Sequence, residues 1–281
     1  MRRSTDRILT THVGALQRPQ ALSRAMAEHG EWAPEVLGEL RTAVGDVVAR
    51  QRVAGIDVVD DGEFGKTLWM WYIRDRMDGI EGREWSPDAE PLLKGRDRDQ
   101  FPGFYAWADA DASLFGYMED SYFGSTITRP VVTGPLRYRP DAVRRDIANL
   151  QSALADHPET EAFMPVVAPA SIEAGLGDEY YPTRDDLMRA LADAIRQEYR
   201  EIIDAGFIPQ VDDAWVPAAW DRSPEYDLES YRRYTGRLGT QNVVAGADCE
   251  FGFRIHPEPG WAKLAVLAEG AALASGRIWR T

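Results

Sequence analysis

Acidic side chains gather at the ends of short β-branched runs. Ile56-Asp57-Val58-Val59 leads into Asp60-Asp61-Gly62-Glu63, Phe207 to Val211 leads into Asp212-Asp213, and Asn242-Val243-Val244-Ala245-Gly246 leads into Asp248-Cys249-Glu250. Arg7 to Val13 carries Thr11 and His12 at its end, before Gly14, and Pro130-Val131-Val132 closes on Thr133. Carboxylates in such places can hold an ammonium group, move protons or complete a metal site. Leaving a charge buried and unpaired is costly. Acids that end apolar strands therefore mark a site, or else they cap the next helix or pair with arginine.

Cys249 is the one cysteine, so no intramolecular disulfide and no all-cysteine zinc site can form. Asp248 and Glu250 flank it and disfavour a free thiolate, an objection that a bound metal removes. Further ligands would have to come from His12, His256 or the acids. His29 and His157 lie in polar surroundings and read as solvated. His12 sits at a strand end and is a candidate site residue, whereas His256 in its Pro-flanked loop reads as structural. Lys66, Lys94 and Lys263 are the only lysines, which leaves few candidates for Schiff-base chemistry. The sequence has no HExxH, no GxSxG and no GxGxxG after a strand.

The elements that would position these groups alternate strand and helix, the pattern of a parallel sheet built from βα units. A helix follows Pro19. Pro34 opens a long one to about Ala54, closed by Gly55 ahead of the strand at 56–59. Residues 130–135 form a third strand, Asp141 to Leu154 a helix, and 162–168 a fourth strand. Thr183 caps a helix with Asp185 and Asp186 in its first turn, where the helix dipole favours acids. That helix ends at Gly206, before a fifth strand at 207–211. A helix at about 228–238, a sixth strand at 242–246 and a last helix from Trp261 to about Ser275 complete the chain. Residues from about 66 to 129, with Trp69, Trp71, Trp85, Tyr105 and Trp107, read as an irregular insertion too long for an ordinary connection.

The 281 residues suit one domain of the (β/α)8 TIM-barrel kind over 1–281, which typically needs about 250 residues. Only about six parallel strands are recognisable, so the barrel is expected to be incomplete. A net charge of −14 argues against nucleic acid and anionic membranes as partners. Met1-Arg2-Arg3 is basic, but no apolar stretch follows it, and no run approaches membrane-spanning length. A reducing compartment, the cytoplasm, is expected.

Four ordered segments carry a resemblance. Thr10-Thr11-His12-Val13-Gly14-Ala15-Leu16, Gly55-Ile56-Asp57-Val58-Val59-Asp60-Asp61-Gly62-Glu63, Gln210-Val211-Asp212-Asp213 and Ala247-Asp248-Cys249 look like motifs of the cobalamin-independent methionine synthases. More closely, the chain is similar to the C-terminal catalytic barrel of that family and its single-domain relatives. The resemblance implies a methyltransferase of methionine biosynthesis that moves a methyl group from 5-methyltetrahydrofolate to a small thiol such as homocysteine. It implies that Glu63 and Asp212 hold the amino acid's ammonium and that the loop His12, Val13, Gly14 and Ala15 holds its carboxylate. It implies that Cys249 is a zinc ligand. The family's His-x-Cys strand and later Glu strand, which supply further zinc ligands, have no counterpart between Asp213 and Asn242. Its Ser in the first loop is Ala15, and its Gly after Asp-Cys is Glu250. Two alternatives stay open: a zinc-free enzyme using the acids on a small amino or carboxylic acid, and a non-catalytic, truncated relative. In the last case, open strand edges would favour homo-oligomers.

Overall fold

The computed structural model describes residues 2–66, 72–84, 99, 101–103, 106, 128–213, 244–245 and 257–278. Five short parallel strands form its central arc. These are β1 (Leu9–Thr10), β2 (Val58–Val59), β5 (Glu161–Val167), β7 (Ile208–Asp212) and β8 (Val244–Ala245). β8 pairs with β1, Thr11 bridges to Val58 of β2, β2 pairs with β5, and β5 pairs with β7, all in parallel. Their order in space is therefore β8-β1-β2-β5-β7. The arc curves: Gln210 on β7 donates through Nε2 to the backbone carbonyl of His12 at 3.1 Å, past two intervening strands. This is the curvature of a (β/α)8 barrel wall, incomplete among the described residues.

Helices cover the outside of the arc. They are α1 (Gln20–His29), α2 (Pro34–Val53), α3 (Tyr72–Arg76), α4 (Asp141–Ala153), α5 (Pro169–Gly175), α6 (Arg184–Asp204) and α7 (Pro257–Ile278). α2, α4 and α6 turn apolar stripes toward the strands, joining Val44 and Val48, Leu150, and Leu191 and Ile195 to Val59, Met164 and Val166 in one core. Two of these stripes carry an acid at a core position. Asp146 lies between Val143 and Leu150 on α4, and Glu198 lies between Ile195 and Ile202 on α6; all six are buried. The Thr183 cap forms as expected, its hydroxyl accepting from the Asp186 backbone N–H.

The expected third strand takes another place. Residues 130–135 lie inside β4 (Thr128–Tyr138), which pairs antiparallel with β3 (Met77–Glu84) and parallel with β6 (Gly177–Asp178) in a separate three-stranded sheet. The ends of the segment read as irregular are thus ordered: α3 and β3 at one end and the start of β4 at the other. Its regular structure escaped detection because β3, MDGIEGRE, is charged and has too few apolar residues for alternation to show. Trp69, Trp71, Trp85, Tyr105, Trp107 and the expected helix at 228–238 lie outside the described residues.

The loop after β2 is pressed against α4. A Cβ built on Gly65 would stand 2.2 Å from Asp146 Oδ1 and 3.0 Å from Arg145 Nη2. That arginine also donates to the Gly65 carbonyl at 2.7 Å. Neither neighbour can yield, because both are held in buried ion pairs. Gly65→Ala is expected to cost about 1–3 kcal/mol by overpacking, read as a lowered urea midpoint with an unchanged m-value. A midpoint equal to that of the parent chain would contradict this packing.

Candidate functional site

Four strand ends meet on one face: the loop after β1, the loop after β2, and the ends of β5 and β7. The loop after β2 is built by its own acids. Asp60 Oδ1 accepts the Gly62 N–H at 2.8 Å and Asp61 Oδ1 accepts the Glu63 N–H at 3.0 Å. These two side-chain turns hold Gly62 at φ 66° and Glu63 at φ 59°. Glu63 is the one non-glycine residue with positive φ among the described residues. That conformation costs of the order of 1–3 kcal/mol, and such strain is concentrated at functional positions. Gln51 on α2 fixes the start of the turn, giving and accepting hydrogen bonds with the Asp60 backbone.

The loop after β1 clamps this turn. Leu16 N–H donates to the Gly62 carbonyl at 3.1 Å, and Arg18 Nη2 donates to the carbonyls of Glu63 and Lys66. His12 is fully buried here, with Gly14 buried and Val13 and Ala15 partly exposed. At the other side, the Ala168 N–H donates to the Asp212 carbonyl at 2.9 Å, and Ser171 donates to Asp213 Oδ1 at 3.0 Å.

The structure thus gathers His12, Val13, Gly14, Ala15 and Glu63 in two interlocked loops. Asp212 ends β7 beside them, the strand whose Gln210 donates to the His12 carbonyl. Asp60 and Asp61 are turn-builders, the structural alternative for such acids. Cys249 lies outside the described residues, as do Asp248, Glu250 and His256. Among the described residues, no group of three or more His, Cys, Asp or Glu could hold a metal ion.

Behind the loops lies a charged network that the motifs did not signal. Lys66 Nζ donates to the Pro165 carbonyl, stands 3.5 Å from Glu63 Oε1 and sits 4.9 Å from the centre of the Tyr72 ring. Arg76 joins two buried carboxylates: it donates through Nη2 to Asp146 and through Nη1 to Glu198 Oε1 at 2.8 Å. Tyr72 accepts from the Val167 N–H at 3.2 Å, tying the network to the end of β5. The readable signal for this network was an acid on an otherwise apolar helix stripe, at Asp146 and Glu198. For Lys66 it was a rare lysine three residues after Glu63.

Burial dominates the ionisation of this region. It drives Asp60 well above the usual carboxylate range, helped by the Asp61 charge. Burial pushes Asp61 up to about 6, with Lys66 opposing. Asp212 is raised by burial and by Glu63, again against Lys66. Burial lowers His12 to about 4, so it is neutral at pH 7. Burial also acts to raise Asp146, but Arg76 and Arg145 outweigh it and bring that acid below its ordinary value.

No protein-family model matches the chain. A methionine synthase from Sulfolobus acidocaldarius is 26% identical over 208 residues, which is 73% of this chain and 51% of that protein. The uncharacterized protein YxjH of Bacillus subtilis is 34% identical over 73 residues, 25% of this chain and 19% of that one. A solved B12-independent methionine synthase from Shewanella sp. W3-18-1, in complex with selenomethionine, superposes with a TM-score of 0.53 at 18% identity, covering 76% of this chain and 55% of that one. The chain resembles the cobalamin-independent methionine synthases. A putative methionine synthase of the same kind from Listeria monocytogenes gives a TM-score of 0.50 at 20% identity, over 79% of this chain and 58% of that one. These solved structures bear out the TIM-barrel-like fold, and the chain spans about half the length of the methionine synthases it matches.

The shifts have a consequence for stability. The folded-state value of Asp61, about 6, lies above its ordinary 3.8. Its contribution is therefore fully present below pH 3.8 and is lost as pH rises through 6. His12 acts oppositely, since its folded value of about 4 lies below 6.5: acid favours unfolding as pH falls from 6.5 toward 4. Asp61→Asn keeps the turn's acceptor oxygen and removes the charge. It is expected to gain about 2–3 kcal/mol at pH 7 relative to pH 4, compared with the parent chain. Urea titrations at both pH values check this; the same pH dependence in both proteins would contradict it.

Proposed function

We propose that the chain is a methyltransferase of the methionine-synthase type, accepting a small thiol amino acid such as homocysteine at the strand ends. The observation that carries this reading is that Glu63, in the loop after β2, is interlocked with the loop His12–Ala15 at the strand ends, where β7 ends on Asp212 and is tied to His12 through Gln210. Two carboxylates from separate strands suit an ammonium group, each accepting a charge-assisted hydrogen bond. The backbone of His12, Val13, Gly14 and Ala15 suits the amino acid's carboxylate, and neutral His12 adds no charge of its own. The resemblance to a methionine synthase over 73% of the chain supports the thiol as the reacting group. Selenomethionine, bound in the Shewanella protein, is the selenium analogue of methionine, the methylated product of that reading.

In this reading the homocysteine thiolate attacks the methyl carbon of 5-methyltetrahydrofolate, the bond from that carbon to N5 breaks, and N5 takes a proton. Glu63 and Asp212 orient the amino acid so that its sulfur meets the methyl group in line. By the resemblance Cys249, which lies outside the described residues, would hold zinc, and the metal would supply a thiolate at the substrate sulfur. A second reading, a zinc-free enzyme on a small amino or carboxylic acid, draws on Asp212, whose carboxyl is raised above its ordinary value by burial and by Glu63, the direction that suits a proton acceptor.

Calorimetry with L-homocysteine and L-methionine, and methyl transfer from labelled 5-methyltetrahydrofolate, test the first reading. Glu63→Gln and Asp212→Asn are each expected to weaken amino-acid binding about 10- to 100-fold, the worth of one charge-assisted bond. Zinc content near one per chain, lost in Cys249→Ala, is the expected metal result. A parent chain that binds neither amino acid would overturn the reading; full metal retention in Cys249→Ala would remove Cys249 as a ligand.

A further inference from the structure

Lys66 has no part in the reading above, yet it is a buried cation held on several sides. Its side chain is 3% exposed. It is one of only three lysines, in a chain with 46 acidic residues. The Pro165 carbonyl at β5 takes one N–H, and the Tyr72 face lies 4.9 Å away, within reach of a cation–π contact. Held from that side, Nζ stands 3.5 Å from Glu63 Oε1. That is an electrostatic contact but longer than a full hydrogen bond, which lies between about 2.7 and 3.2 Å. Lys66 thus compensates Glu63 without consuming its capacity to accept from a ligand.

We infer that Lys66 is the positioning residue of the site, an internal ammonium that steadies Glu63 and holds the surrounding acids as carboxylates, so that a ligand-borne ammonium meets charged acceptors there. The inference rests on the amino-acid reading given above for the identity of the ligand. The groups around Lys66 agree with it. Glu63 lies 3.5 Å from it in its own loop, and Lys66 draws the ionisation of Asp60 and Asp61 in that loop, Asp146 on α4, Glu198 on α6 and Asp212 on β7 downward. Of the other cations packed nearby, Arg76 and Arg145 are committed to Asp146 and Glu198, and Arg18 donates to the Glu63 and Lys66 carbonyls. Tyr72 is neutral, with burial holding its hydroxyl far above its ordinary value.

Lys66→Met and Lys66→Arg test this in the whole chain by two measurements. The first needs no ligand: infrared difference titration of the carboxyl bands, with Asp61→Asn and Asp212→Asn to assign them. The second is calorimetric binding of L-methionine from pH 5 to 9. In Lys66→Met the Asp61 and Asp212 bands are expected to titrate about 1 unit higher or more. Binding at pH 7 should fall at least tenfold, recover as pH rises, and be largely restored by Lys66→Arg. Unchanged titration overturns the inference, as does a binding loss that is independent of pH and not rescued by arginine. A parent chain that binds no amino acid, with the bands still moving in Lys66→Met, would remove the ligand reading and leave Lys66 as the countercharge.

Discussion

More negative than positive charge has been taken out of water behind this face. Among the described residues Asp60, Asp61, Glu63, Asp146 and Glu198 are buried, against Lys66 and Arg76, with Arg145 close by. Burying a carboxylate unpaired is costly, so the surplus is relieved in two ways. Asp146 finds two arginines and stays ionised, while Asp60, Asp61 and Glu198 shift toward their neutral forms. Under the proposed function, the substrate's ammonium would join Lys66 and Arg76 among the positive groups on this face.

The same constraint shapes the backbone. Asp60 and Asp61 spend one oxygen each on the turn that sets Glu63 in a left-handed conformation. Arg18 and Leu16 lock that turn from the first loop, and Gly65 lets it lie against the Arg145–Asp146 pair. Each contact is short-range, but together they fix a strained glutamate at a strand end. Such strain persists only where the surroundings over-determine it.

Much of this could be read from residue order. The strand ends at Asp60 and Asp212, the helix opened by Pro34, the Thr183 cap and the alternation of strand and helix follow from local chemistry, and the structure contains them. The sheet of β3, β4 and β6 could not be read, because β3 is highly charged and its partner lies some fifty residues away. Nor could the split among the acids: nothing in Asp60-Asp61-Gly62-Glu63 says that the first two build the turn while the third faces β7. The buried network of Arg76, Asp146 and Glu198 joins three elements distant in sequence, and only packing reveals it. Cys249, on which the zinc expectation rests, lies outside the described residues.

The central claim is that Glu63 and Asp212 share one amino-acid ammonium at the strand ends. A crystal structure of the chain with L-methionine tests it most directly. The account predicts the ligand nitrogen within hydrogen-bonding distance of both carboxylates, about 2.7–3.2 Å, with its carboxylate against the backbone of His12 to Ala15. A ligand seated elsewhere, or one whose carboxylate rather than its nitrogen meets Glu63, would contradict it.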